Sequence, residues 1–308
     1  PSSKEQVFMK RVVSISLGSR SRDYQITVEL LGQEISIERV GTNGDVARAK
    51  QLYEELDGQV DCLGVGGAVL EIDGVDRKYA LPSIYKLIEN VKRTPVVDGT
   101  GFKDVIERRM AQYTEEKIGA EITTKTALVC SATDRMGQAR SFVEAGYGVV
   151  FGDLMFALGI PIPLRSLEGV RRLAHVMAPI VRHLPMSMLY PTGEREDVNT
   201  PRFEKWFRWA QVIAGDCNYI THYMPLDMRG KIVATNTTTT RDVQLFRERG
   251  VRYLVTSTPR LGERSFGTNL MESVLVALAG KGRALEHAEI EELLSALGWH
   301  PNLEKLNP

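Results

Sequence analysis

The chain has 308 residues, 43% apolar and 25% charged, a composition that suits about two globular domains with cores of their own. Its 39 basic residues cancel its 39 acidic ones, so no net field draws it to nucleic acid or to an anionic membrane surface, and neither is expected as a partner. No apolar run reaches the 18 residues that suggest a membrane span.

The first elements read as strand, strand, strand, helix. Val12-Val13-Ser14-Ile15-Ser16-Leu17 is a short strand closed by Gly18. Residues 24–31 alternate up to Gly32, and Ile35-Ser36-Ile37-Glu38 alternates strictly, which predicts a hairpin. Gly44-Asp45 opens a helix whose Val46, Ala49, Leu52, Tyr53 and Leu56 keep i, i+3, i+4 spacing until Gly58. A glycine-rich strand follows over 62–70, then a helix from Ser83 and a strand at Thr94-Pro95-Val96-Val97. Asp98-Gly99-Thr100-Gly101 is a turn into one long helix over 102–117. Residues 8–122 are therefore expected to form a mixed α/β domain.

Beyond this point the pattern changes. Thr126-Ala127-Leu128-Val129-Cys130 is a continuous apolar run, as expected of a strand buried on both faces. A helix over 135–145 and a strand at Gly148-Val149-Val150-Phe151 follow. Leu167, Val170, Leu173, Met177, Ile180, Val181 and Leu184 share one face of a long helix. Val212-Ile213-Ala214, Ile232-Val233-Ala234 and Tyr253-Leu254-Val255 are further short strands, with helices expected over 242–249, 269–279 and 286–297. Strands alternating with helices predict a Rossmann-like, doubly wound parallel sheet over 123–308, with C-terminal helices. The helix at 167–184 and the last helix each offer a face for a homodimer or for the core.

Cys62, Cys130 and Cys217 are odd in number and lack CxxC spacing. This fits reduced, buried thiols better than disulfides or a zinc site. The opening Pro1-Ser2-Ser3-Lys4-Glu5 is polar and has no signal-peptide core, so a cytoplasmic protein is expected.

Ligands of a parallel α/β sheet bind beyond the carboxyl ends of its strands. Each strand of the second half delivers polar or small residues there, which predicts a polar cleft. Ser131-Ala132-Thr133-Asp134-Arg135-Met136-Gly137 joins the first strand to a helix N-terminus, where free N–H groups attract a phosphate. Ser131 and Thr133 add hydroxyls, Arg135 a charge and Gly137 room for close approach. The GxGxxG fingerprint is absent, and Asp134 would repel a phosphate unless it caps the helix. Asp153, 19 residues after Asp134, stands at the end of the second strand, the place for a carboxylate that holds the ribose hydroxyls of NAD and disfavours NADP. The alternative is a cap on the next helix. Asn236 and Thr237 at the fourth strand end either cap a helix or line the cofactor and substrate side.

In the first half, Ser19, Arg20 and Arg22 either clamp a carboxylate or phosphate or form a solvated turn. Lys103 and Asp98 flank the turn before the long helix, where a lysine near a carboxylate can shuttle a proton. A surface ion pair is the alternative. His222 beside Tyr223 is another candidate proton carrier. No histidine spacing fits a metal motif, so no metal is expected.

Several of these segments resemble a known family. Val12-Val13-Ser14-Ile15-Ser16-Leu17-Gly18-Ser19, Val96-Val97-Asp98-Gly99-Thr100-Gly101, Ser131-Ala132-Thr133-Asp134-Arg135-Met136-Gly137, Tyr190-Pro191-Thr192-Gly193-Glu194 and Ser265-Phe266-Gly267-Thr268-Asn269-Leu270 resemble a bacterial quinate 5-dehydrogenase family, over nearly the whole chain. The resemblance implies an NAD(P)-dependent dehydrogenase of the quinate and shikimate type, with a substrate domain followed by a cofactor domain. The expectation is an NAD-dependent oxidoreductase acting on a small hydroxylated carboxylic acid. The alternatives are a lyase or transferase on the same fold, or a non-catalytic nucleotide or metabolite sensor.

Overall fold

The computed structural model describes residues 9–73, 78–184, 199–258, 260–261 and 264–308. The family-like segment at 190–194 therefore lies outside the described residues.

The protein is α/β, built on two main sheets. The first has five strands: β1 (Lys10–Ser16), β2 (Tyr24–Leu30), β3 (Gln33–Gly41), β4 (Cys62–Gly66) and β7 (Val96–Val97). Their order is β2-β3-β1-β4-β7, parallel except for β2. The expected hairpin is β2–β3. Leu31 and Gly32, both at positive φ, make its two-residue turn, the backbone that matches the twist of the paired strands. Helix α1 (Val46–Leu56) starts where Asp45 accepts a bond from the Arg48 N–H. A small ribbon, β5 (Glu71–Asp73) with β6 (Lys78–Ala80), and α2 (Pro82–Ile88) follow.

The long helix expected over 102–117 is two helices, α3 (Thr100–Glu107) and α4 (Met110–Ile118). The break serves two cores. Phe102, Val105 and Ile106 pack with the first sheet, while Met110, Ala111 and Ile118 pack against the second.

The second sheet has six strands: β8 (Thr126–Val129), β9 (Gly148–Phe151), β10 (Val212–Ala214), β11 (Ile232–Thr235), β12 (Tyr253–Thr256) and β15 (Asn302–Lys305). The order is β15-β12-β11-β10-β8-β9, with only β15 antiparallel. Ala127 and Val129 face one core and Leu128 and Cys130 the other, so the sheet is buried on both sides. Its connections are α5 (Met136–Glu144), α6 (Asp153–Phe156), α7 (Leu167–Val181), α8 (Glu204–Trp209), α9 (Cys217–Tyr223) and α10 (Thr240–Glu248).

After β12 and the short pair β13 (Arg260–Leu261) and β14 (Arg264–Ser265), the chain returns to the first sheet. Helices α11 (Thr268–Ala279) and α12 (His287–Ala296) supply Leu270, Met271, Val274, Leu275, Ile290 and Leu294 to the core around Val12, Ile35 and Cys62. The stretch expected to complete the second half thus completes the first. The close fit explains Gly99, at φ 90°, where a Cβ would stand 2.4 Å from the Asn269 nitrogen. Strand β15, not anticipated from the sequence, then closes the edge of the second sheet beside β12. The three cysteines are buried and free. Among the described residues, no helix is long and apolar enough to cross a membrane.

Candidate functional site

A cavity of about 400 Å³ lies between the two halves. Val69, Ile72 and Leu81 wall it from the first half, with Thr100, Lys103, Asp104 and Glu107 of α3. The second half adds Thr133, Asp134, Met136, Gly137, Asp153 and Leu158. Helix α7 covers it with Leu173, Ala174, Met177, Ala178 and Val181. Of the apolar face read from the sequence as a core or dimer element, Leu173, Met177 and Val181 wall this cavity, while Val170 and Leu167 pack in the core of the second sheet.

Lys103 and Asp134 meet at the wall, one from each half. The Lys103 ammonium donates to the Asp134 carbonyl oxygen at 2.8 Å and to its Oδ1 at 3.1 Å. The lysine charge holds the Asp134 carboxyl below its usual range. Asp153 is buried at the start of α6, where its Oδ1 accepts from the Thr133 backbone N–H and hydroxyl, both at 2.8 Å. Its Oδ2 has no partner. Burial pushes this carboxyl up, against the Thr133 bonds.

Arg135 is enclosed. It pairs with the buried Glu107 and, at 2.7 Å, with Asp216. Asn236 braces the same network, donating to Asp216 Oδ2 at 2.9 Å and accepting from the Cys217 N–H at 3.0 Å. Burial raises the Glu107 carboxyl, opposed by Arg135, and its Oε2 has no partner.

These contacts decide what the first loop can hold. A diphosphate needs unspent N–H groups or a free cation at the helix N-terminus. The Thr133 donors are taken by Asp153, and Arg135 by two acids. A Cβ on Gly137 would stand 2.8 Å from the Asp104 carbonyl oxygen, so this glycine admits α3 rather than a phosphate. The Thr133 and Arg135 donors are therefore not free for a dinucleotide diphosphate, while the first N–H groups of α5 carry no side-chain cap. Asp153 keeps an oxygen for a ribose hydroxyl.

The other sequence candidates lie apart from the cavity lining. Asp98 holds its own turn, accepting from Leu70 N–H at 2.6 Å and Thr100 N–H at 2.9 Å. His222 ends α9 with its ring edge-on to Tyr223, centroids 4.5 Å apart. Ser131 is buried with an unpartnered hydroxyl, and Thr237 meets Thr258 at 3.3 Å. Ser19 caps a 3-10 turn at Arg20–Arg22 by accepting from the Ser21 N–H at 3.1 Å. Arg20 donates to the Gly41 carbonyl at 3.3 Å, and both arginines are exposed. That exposed turn is the solvated alternative rather than a clamp on the cavity.

Sequence reasoning missed Glu107 and Glu272, and gave Asp216 only a place at the end of a strand. Glu272 carries a legible signal, a lone acid within Leu270-Met271-Glu272-Ser273-Val274-Leu275. It is buried beneath the 98–101 turn and accepts from the Phe102 N–H at 3.3 Å. Burial, then the Asp98 charge, push its carboxyl up to about 7 from the usual 4.5. The folded protein keeps this proton where the unfolded chain has released it. Its stabilising contribution is complete below about pH 4.5 and is lost as pH rises through about 7. Between pH 5 and 8 the wild type is expected to lose about 2–3 kcal/mol of unfolding free energy relative to Glu272→Gln. Denaturant titrations at a series of pH values check this; a difference independent of pH would contradict it.

The profile of the domain of unknown function DUF8754 matches residues 101–306, most of the chain. The chain belongs to this family. A second profile, the domain of unknown function DUF8753, matches residues 11–98, and the two meet in the Asp98-Gly99-Thr100-Gly101 turn. No curated protein matches the chain. Among solved structures, an NAD-dependent malic enzyme from Thermotoga maritima is 12% identical, covering 97% of this chain and 80% of its own, at a TM-score of 0.40. A periplasmic ribose ABC transporter protein from Conexibacter woesei is 11% identical over 94% of this chain and 96% of its own, at 0.38. A Mycobacterium smegmatis protein bound to β-D-fucofuranose is 12% identical over 95% and 99%, at 0.35. At these scores none assigns chemistry to this chain.

Proposed function

We propose that the cavity between the halves binds a small molecule and that Lys103 moves a proton to or from one of its hydroxyl or carbonyl groups. The observation that carries this reading is the Lys103–Asp134 pair, brought together from separate halves at the wall of an otherwise largely apolar cavity. Lys103 acts as the general acid or base, and Asp134 holds its ammonium in place. The test is a thermal-shift screen of small hydroxylated, acidic and amino compounds against the wild type and the cavity-filled variant Ala174→Phe. A ligand at ~100 times its Kd adds ~2.7 kcal/mol to the wild type alone.

A second reading is an NAD(P)-dependent oxidoreductase of a hydroxylated carboxylic acid, as the quinate and shikimate resemblance suggests. The free oxygen of Asp153 at the end of β9 favours it. The occupied donors of the first loop weigh against it. NAD, NADH, NADP and NADPH at millimolar excess separate the two readings. A rise in Tm that is lost in Asp153→Ala supports the oxidoreductase; no rise with any of the four rules it out.

A further inference from the structure

We infer that the ligand of this cavity is a small organic cation, an ammonium group carried on a compact apolar body. The inference rests on the cavity being the ligand site and adds the charge of what enters it.

Two buried carboxylates in the lining each have one oxygen unused. Asp153 is 3% exposed, and the Thr133 N–H and hydroxyl both bond its Oδ1. Glu107 is 1% exposed, and Arg135 bonds its Oε1. Asp153 Oδ2 and Glu107 Oε2 have no hydrogen-bond partner. A buried carboxylate oxygen without a donor is costly, so a ligand that supplies donors relieves a penalty already present.

The surrounding charge selects the donor. Glu71, Asp104, Glu107, Asp134 and Asp153 line the cavity, against Lys103 as its one basic lining residue among those described. Lys103 is itself paired with Asp134, and Glu107 with Arg135. Asp153 has no ion-pair partner among the described residues, so it is the carboxylate a cation would complete. An ammonium brings a charge and three donors; an alcohol brings one donor and no charge; a carboxylate adds repulsion. No group of three or more His, Cys, Asp or Glu among the described residues is arranged to hold a metal ion, which directs the inference to an organic cation. Leu158, Leu173, Met177 and Val181 supply the apolar surface for its body.

Three probes of one shape isolate the charge: cyclohexylamine, cyclohexanol and cyclohexanecarboxylate, titrated into the full chain by ligand-observed NMR. The amine is expected to bind about tenfold more tightly than the alcohol, with the carboxylate weakest. In Asp153→Asn, which keeps an acceptor for Thr133, the preference for the amine over the alcohol should shrink to about threefold or less. Ala174→Phe, which leaves every carboxylate in place, should remove amine binding and serves if the first variant does not fold. Alcohol or carboxylate binding as tightly as the amine overturns the cation while leaving the cavity as a ligand site. Amine binding unchanged in both variants overturns the inference as binding elsewhere on the surface. No binding of any probe overturns the inference and counts against the cavity reading as well.

Discussion

Arg135→Met is expected to lower the unfolding free energy by roughly 3–5 kcal/mol near neutral pH. The reason is what it leaves behind. Arg135 is 6% exposed and bridges Glu107, 1% exposed, to Asp216, 20% exposed. Removing the guanidinium strands a buried acid and leaves Asp216 to Asn236 and the Asn218 N–H. Coulomb attraction inside the pair is not the measure of this effect, because desolvation of both ions opposes it. The measure is the uncompensated charge. The double variant Arg135→Met, Glu107→Leu should therefore recover much of the loss, since it removes the stranded group together with its partner. Urea unfolding of the two variants checks the account. A loss below about 1 kcal/mol in the single variant, or none recovered in the double, would contradict it.

Lys103→Met should leave ligand binding within about tenfold and lower turnover by about 10²–10⁴-fold, the usual contribution of a positioned acid or base. Lys103→Arg should not restore turnover, because a guanidinium does not release its proton at accessible pH. Lys103 lies against Asp134 with its side chain only 14% exposed, so its placement depends on both halves. The comparison is made on the compound that the screen selects, with binding and turnover measured separately. Equal loss of binding and turnover would make Lys103 a binding residue; unchanged turnover would remove it from the chemistry.

Much of the architecture was legible because it rests on local periodicity. The hairpin at Leu31-Gly32, the Asp45 cap and the apolar strands at 126–129, 148–151, 212–214, 232–235 and 253–256 follow from spacing and turn chemistry. The path between layers was not legible. Nothing local distinguishes an apolar helix after β12 that packs on its own sheet from one that crosses to the other. The match of α11 to Val12, Cys62 and Val97 is a long-range fit. Strand β15 has too few apolar residues in Asn302-Leu303-Glu304-Lys305 to announce itself, and it is a strand because β12 offers it an edge.

The candidate site divides the same way. Lys103, Thr133, Asp134, Met136, Gly137 and Asp153 were found because they stand at strand ends or helix starts, and all of them line the cavity. Arg135 stands in the same loop, but its partners Glu107 and Asp216 come from distant segments that sequence spacing does not connect. The arginine at a helix start therefore read as a phosphate ligand, whereas the fold uses it as a buried counter-ion. Asp98 was noticed for its carboxylate, and the structure uses that carboxylate to hold the turn in which the two family profiles meet.

The most direct test of the cavity as the working site compares wild type and Ala174→Phe in the same compound screen, by melting temperature. Compounds that raise the Tm of the wild type and leave that of the filled variant unchanged are the predicted result. Compounds that shift both proteins equally, or none that shifts the wild type, would contradict it.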